Sequence, residues 1–176
     1  ECAKSGDHYI LPLPFRNDDV HLPNNRWLAE RRLQHLKGKL EKDEKLYADY
    51  KVFMDNLFQK GYGRESSIEP SNSWYIPHHG VYHPHKPDKI RVVFDCSSEF
   101  QGSSLNKELL NGPDLTNQII GVLSRFRENE VALMADVESM FYQVMVAEKH
   151  RSFLRFLWWK NGNPQNSVVD CEMNVH

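Results

Sequence analysis

Cysteine is scarce in this chain. Its 176 residues include three, Cys2, Cys96 and Cys171, and no two of them form a CxxC pair. Thiols so few and so far apart fit neither a zinc knuckle nor a disulfide framework, and they read as those of a protein in a reducing, intracellular compartment. Long apolar runs are missing too. None approaches the ~20 residues that a membrane-spanning helix needs, which excludes a helical membrane protein. The first residue is Glu1 rather than Met, and Glu1-Cys2-Ala3-Lys4-Ser5 lacks the charged-then-apolar layout of a signal peptide. The expectation is a processed start or a piece of a longer chain. An excess of positive charge is also absent, since 22 Lys and Arg stand against 24 Asp and Glu. Dedicated nucleic-acid binders usually carry a basic excess, because phosphate neutralisation supplies much of their affinity. The overall balance gives no sign of one and leaves room for a locally basic groove. No internal repeat is visible.

What is present is ordinary for one soluble globular domain, with 40% hydrophobic and 26% charged residues. Residues 1–25 read as an extended connector, because Leu11-Pro12-Leu13-Pro14 and Leu22-Pro23-Asn24-Asn25 place proline where helix cannot form. Asn24 or Asn25 then caps a helix start. From Arg26 to about Gly61 the pattern is helical. Ala29, Leu33, Leu36 and Leu40 step by four, three and four, and Leu46, Tyr50, Phe53 and Leu57 repeat that spacing. Gly38 and Glu41-Lys42-Asp43-Glu44 divide the stretch into two helices, and Gly61 stops the second. Residues 62–73 read as polar loop.

A β texture follows. Tyr75 to His85 suits edge strands and turns, Lys86-Pro87-Asp88 reads as a turn, and Lys89 to Asp95 as a strand. Alternation puts Ile90, Val92 and Phe94 on one face of that strand and Lys89, Arg91 and Asp95 on the other. Residues 97–113 read as loop. A helix is expected next, with Leu115, Ile119, Val122 and Phe126 on its inner stripe. Glu130 to Asp136 reads as a strand buried on both faces, because Val131-Ala132-Leu133-Met134-Ala135 is continuously apolar. Phe153 to Trp159 is a further strand, Asn161-Gly162-Asn163-Pro164 a turn, and Val168 to Met173 its partner.

Three features carry chemistry. A strand that delivers Asp136 at its C-terminal end presents a carboxylate that is costly unless something positive meets it. A divalent cation answers that need, and magnesium takes one or two protein carboxylates plus substrate phosphates. The alternative is an aspartate that caps the following turn. Arg91 and Lys89 on one strand face suit a polyphosphate or a nucleic-acid backbone, against the alternative of a solvated face. Metal and phosphate-binding cations together make phosphoryl transfer conceivable. The third feature, His78, His79, His83 and His85, makes a zinc site conceivable, but His83-Pro84-His85 interleaves proline and no acidic or cysteine partner is near. A surface strand with titrating histidines is the better reading. The aromatic run from Leu154 to Trp159 suits sheet packing better than base stacking.

Several blocks in order resemble a known family. Trp74-Tyr75-Ile76-Pro77-His78-His79, Lys89 to Asp95, Ser104-Leu105-Asn106, Asn111-Gly112-Pro113-Asp114-Leu115, Ala135-Asp136-Val137-Glu138 and Leu154-Arg155-Phe156-Leu157-Trp158 resemble the reverse transcriptase of BEL/Pao-type long-terminal-repeat retrotransposon polyproteins. Leu11 to Pro14 and Leu22 to Arg26 resemble the stretch just before that enzyme, and Glu172 to His176 the approach to its next polymerase block. The resemblance implies an α+β fold: an extended connector (1–25), a helical segment packing on the fingers (26–73), and a partial polymerase domain of fingers sheet and incomplete palm (74–176). It implies that Asp136 is the catalytic, magnesium-bridging aspartate of the first palm strand and that the carbonyl of Val137 is a second metal ligand. Arg91, with Lys89 near it, would lie on the triphosphate of the incoming nucleotide. Phe141 would sit under its sugar and exclude a 2′-hydroxyl. Glu138 would lie in a turn whose amides face the triphosphate, while Tyr142 and Gln143 suit packing or template-side roles.

The implied parent is a magnesium-dependent RNA-directed DNA polymerase acting on RNA template, DNA primer and deoxynucleotides. It would work with the rest of the polyprotein beyond His176, away from any membrane, in a cytoplasmic particle or the nucleus. The family's Tyr-x-Asp-Asp turn has no counterpart between Asp136 and His176. Because one carboxylate cannot organise two cations, these residues alone are expected to be inactive. The rival expectation is a degenerate or co-opted remnant that binds nucleic acid or a host protein without catalysis. A histidine-based metallohydrolase is a third, weaker possibility. Without a complete palm, Phe156, Trp158 and Val169 are expected to be exposed.

Overall fold

The structure is a computed structural model that describes residues 3–6, 8–17, 19–67, 70–114 and 117–176. Cys2 and Leu115, which figured in the sequence reading, lie outside the described residues. The fold mixes helices with several small sheets. Two short strands, β1 (Ala3–Ser5) and β2 (His8–Leu11), precede helices α1 (Arg26–Leu40) and α2 (Glu44–Gln59). Strand β3 (Gly63–Glu65) leads to the ribbon β4 (His78–His83) and β5 (Lys86–Phe94), then to short helix α3 (Leu105–Glu108) and α4 (Ile119–Phe126). Strands β6 (Val144–Val146), β7 (Arg155–Trp159) and β8 (Val168–Met173) complete the chain.

The helical pair forms for the reasons its sequence gives. The apolar stripe of α1 is buried at Ala29, Leu33, Leu36 and Leu40; on α2 Tyr50 and Leu57 of the expected stripe are buried, Leu46 and Phe53 are only partly covered, and Met54 is buried with them. Helix α1 runs through Gly38, so only the 41–43 turn separates the two. Asp43 then caps α2 by accepting a hydrogen bond from the Leu46 amide at 2.9 Å. At the other end Gly61 adopts φ +71°. The amide of Gly61 donates to the Phe58 carbonyl and that of Tyr62 to the Leu57 carbonyl, each at 3.0 Å. This is the paired closure that a left-handed glycine permits.

Asparagine caps the first helix in an unexpected way. Asn24 Oδ1 accepts from the Arg26 amide at 3.0 Å. The fully buried Asn25 reaches across instead: its Nδ2 donates to the Tyr75 carbonyl at 2.7 Å, and its Oδ1 accepts from the Tyr75 amide at 2.8 Å. A two-way amide clamp thereby fixes the start of α1 to the 74–77 segment.

Sheet β3-β8-β7 is antiparallel, and Tyr75 bridges Arg155 in parallel on the far edge of β7. Every residue of β7 is buried. Trp158 stacks on Tyr50 with centroids 5.5 Å apart, and Phe156 packs against Phe58 and Phe94. The aromatic run is therefore core, and Phe156 and Trp158 are not exposed as expected; Val169 is only partly covered. The cover comes from α1, α2 and the β4–β5 ribbon rather than from further strands.

Other expectations also change. The 1–25 segment is more than a connector, because β1 pairs with β2 and β2 pairs in parallel with β6. Leu13, Val20 and Leu22 enter the core, and Asn72 holds Val20 and Leu22 by side-chain hydrogen bonds to their backbone. Part of the 62–73 loop is β3, which β8 templates. Lys86-Pro87-Asp88 belongs to β5 and the turn sits at Pro84-His85; Pro87 is tolerated because the ribbon has open edges.

The N-terminus of α1, the 74–77 segment, β7 and β8 meet at one carboxylate. Asp170 Oδ1 accepts from Arg26 Nη1 at 2.5 Å and from the Tyr75 hydroxyl at 2.6 Å, and lies 3.3 Å from Arg155 Nη2. Both guanidinium carbons stand 5.4 Å from the centroid of the Tyr75 ring. Desolvation pushes the Asp170 carboxyl up, but the bonds from Arg26 and Tyr75 outweigh it and hold the pKa below the usual carboxylate value. Removing this carboxylate leaves the nearly buried Arg155 without that partner. Asp170→Ala should therefore cost about 3 kcal/mol, read as a lower urea midpoint with an unchanged slope. Arg26→Ala, at a half-exposed group, should cost less.

Candidate nucleotide-binding residues

The β4–β5 ribbon sits on α2 through Ile90, Val92 and Phe94, as alternation requires. Its approach is close. A Cβ on Gly80 would come within 2.9 Å of Ile90 Cδ1 and 3.2 Å of the Tyr50 ring, so a larger residue would require both side chains to give way. The opposite face is exposed and carries Lys89 and Arg91, with Arg91 held in register opposite Val81. Among the described residues neither cation makes an ion pair or a side-chain hydrogen bond. Both are open to an anionic ligand.

The Asp136 region departs from expectation. No residue of α4 is buried, so Ile119, Val122 and Phe126 form an outward stripe rather than an inner one. Residues 131–137 form no strand, and Leu133 and Met134 are 91% and 92% exposed. The run was read as interior because continuous apolar character fits burial on both faces. Burial, however, needs ladder partners on both sides, and no described strand pairs with this segment. Asp136 and Val137 are consequently exposed. A turn at Glu138-Ser139 follows, with Ser139 at φ +52°. Gln143 Nε2 donates to the Glu138 carbonyl at 3.1 Å. Phe141 is exposed, whereas Tyr142 turns inward and stacks on Tyr62 at 4.7 Å.

The structure thus groups Lys89 with Arg91 on one ribbon face, and Asp136, Val137, Glu138 and Phe141 within one exposed segment. Among the described residues no hydrogen bond or ion pair joins the two groups. Nor does any set of three or more His, Cys, Asp and Glu side chains converge as a metal would require. A magnesium site here would draw on the Asp136 carboxylate and the Val137 carbonyl, with its remaining positions left to other groups.

The histidine cluster separates in space. His83 and His85 sit at the exposed ribbon turn, their rings 5.5 Å apart. His78 is buried among Tyr50, Phe94, Phe156 and Trp158. The Leu157 carbonyl can only accept, so Nε2 of His78 carries the proton it donates there at 2.9 Å, and Nδ1 accepts from the Tyr50 hydroxyl at 2.5 Å. Both nitrogens are occupied in a neutral ring, which leaves no lone pair for zinc. The apolar flank Trp74-Tyr75-Ile76-Pro77 was the sequence signal for this burial. Neither described cysteine offers a nucleophile: burial first, then the adjacent Asp95, pushes the Cys96 thiol up to about 11, and burial also raises Cys171.

No protein-family model matches the chain, and no curated protein matches it in sequence.

Desolvation lowers the His78 pKa to about 4, with the bond to the Leu157 carbonyl opposing only partly. The unfolded ring titrates near ~6.5, so the unfolded state binds the extra proton between these values. Stability should fall as pH drops from about 6.5 towards 4, with a slope contribution of about 1 kcal/mol per pH unit. His150 and His176 shift in the same direction, so the measurement is a comparison. Urea midpoints of His78→Gln should be lower than wild type at pH 7 and flatter across that window.

Proposed function

We propose that the chain is part of a magnesium-dependent RNA-directed DNA polymerase of the BEL/Pao retrotransposon type. The observation that carries this reading is the ordered set of sequence blocks from Trp74 to Trp158, each with its family-like residues in place. The outward, unpaired Arg91 and Lys89 on the β4–β5 ribbon support it, because a triphosphate needs cations that no internal carboxylate has claimed. In this reading the ribbon is part of the fingers, and β6 to β8 with the Asp136 segment belong to the palm. Asp136 and the Val137 carbonyl would hold magnesium, Arg91 with Lys89 would grip the triphosphate, and Phe141 would sit under the sugar. A second carboxylate source, the Tyr-x-Asp-Asp turn of the family, would lie in sequence beyond His176. Strands from that region would cover the 131–137 run and convert it into the interior strand its composition suits. A mixed fold of helices and small sheets is compatible with this reading.

The second reading, a non-catalytic remnant that binds nucleic acid or a host protein, draws on the exposure of Val131, Leu133, Met134 and Phe141. So large an uncovered apolar run marks an interaction surface.

Primer extension by the full parent protein separates the two. Asp136→Asn should lower extension at least about a hundredfold without shifting the melting temperature, and unchanged extension would remove the catalytic assignment. Phe141→Ala should admit ribonucleotides, measured as the ratio of ribo- to deoxynucleotide incorporation. A ratio equal to wild type would exclude the sugar-gate role.

A further inference from the structure

Residues 11–15 form a strap between two parts of the fold. On one side the Pro14 carbonyl accepts from the Leu110 amide at 2.7 Å, Phe15 bridges Leu109, and the Arg16 amide donates to the Glu108 carbonyl at 2.8 Å. On the other, the Leu11 carbonyl accepts from the Ala147 amide at 2.9 Å, at the start of the helical turn Glu148–Leu154. Leu13 is buried between them, and its amide donates to Nδ1 of His150 on that turn at 2.9 Å. An amide N–H can only donate. Nδ1 therefore offers a lone pair, and the ring is neutral with its proton on Nε2.

Two other histidines lie against the same stretch, and neither is constrained in this way. His8 Nδ1 stands 3.3 Å from the Gln143 carbonyl, and the Leu11 backbone favours the charged form of His176. Both contacts survive protonation, because a carbonyl accepts from either form of the ring. Protonating His150 instead turns Nδ1 into a donor, and two N–H groups then face each other where a bond stood.

The surroundings give the charged ring a place to go. A cavity of about 430 Å³ opens beside it, with Phe15, Phe153, Lys149, Asp19 and His21 in its lining. The His150 ring meets those of Phe15 and Phe153 edge-on, at 5.2 and 6.5 Å. Among the described residues the charged or titratable groups of this lining are Lys149, next to His150 in sequence, and the exposed pair Asp19 and His21, 3.5 Å apart. Lys149 opposes a second positive charge where the ring now sits, and Asp19 favours one in the cavity. Burial first, then Lys149, holds the His150 pKa below its usual value. The closed strap thus keeps the ring neutral, an opened one lets it charge near ~6.5, and acid favours opening.

We propose that His150 is a proton-operated latch: the neutral ring fastens the strap at Leu13, and the imidazolium releases it and turns into the cavity towards Asp19. The latch governs how firmly β2 stays paired with β6, since Leu11 is at once the last residue of β2 and the first of the strap. It uses neither Asp136 nor Arg91 and does not depend on the polymerase reading.

The test is amide exchange by NMR on the whole chain, with the protection factor of Leu13 divided by that of Leu33 in α1, from about pH 7.5 to about 5. The division removes global unfolding, and protection factors remove the intrinsic pH dependence of exchange. In wild type the ratio should fall at least about tenfold, as expected for a buried donor that loses its acceptor. His150→Asn sets an oxygen in place of Nδ1 that accepts and cannot titrate, so its ratio should stay flat. His21→Asn and His176→Asn should respond like wild type, and Asp19→Asn should reach the same loss only at lower pH. A flat ratio in wild type would overturn the proposal, and so would a fall of wild-type size in His150→Asn. A wild-type profile in Asp19→Asn would overturn the turn into the cavity. Each comparison is made within one variant across pH, so a lowered melting temperature in His150→Asn does not blur it.

Discussion

The carboxylate of Asp170 is the point on which the fold turns. Four stretches far apart in sequence, those holding Arg26, Tyr75, Arg155 and Asp170 itself, are tied there by two guanidiniums and a phenol. An acid with only that much cover is tolerable because its desolvation is answered by charged and hydroxyl donors. The Asn25 clamp on the Tyr75 backbone works at the same junction. Together they fix how α1 lies on β7, which decides where its apolar stripe is buried and which of its sides is left exposed.

Much of this architecture was legible in the sequence. The stripe of α1, part of that of α2, the Gly61 stop, the alternation of β5 and the β7–β8 pair all follow from local periodicity and turn chemistry, and these are present. The errors over burial share one cause. Periodicity states what a segment is able to bury, not what is there to bury it. The Ile119 stripe and the 131–135 run have strong apolar patterns and no cover, whereas Phe156 and Trp158 were expected to lack neighbours and are enclosed by two helices and a ribbon. The roles of Asn25, Asp170 and His78 depend on partners some 28 to 144 residues away, a separation at which no local pattern speaks.

The same distinction governs the functional reading. Lys89 and Arg91 stand where alternation put them, free of internal partners, and the Asp136 segment stands outside any sheet. An assigned role at Asp136 therefore rests on sequence resemblance and on what would have to pack against residues 131–137.

Beyond β8 the backbone changes sheets. Asn174 receives the junction: its amide donates to the Tyr62 carbonyl, its side chain to that of Gly61, and its own carbonyl accepts from the Val146 amide. Val175 then bridges Met145, on the strand whose parallel neighbour is β2. The β1–β2 hairpin is thus moored, through β6, to residues 174–176. The two segments share a single berth, so loosening either one slackens the other.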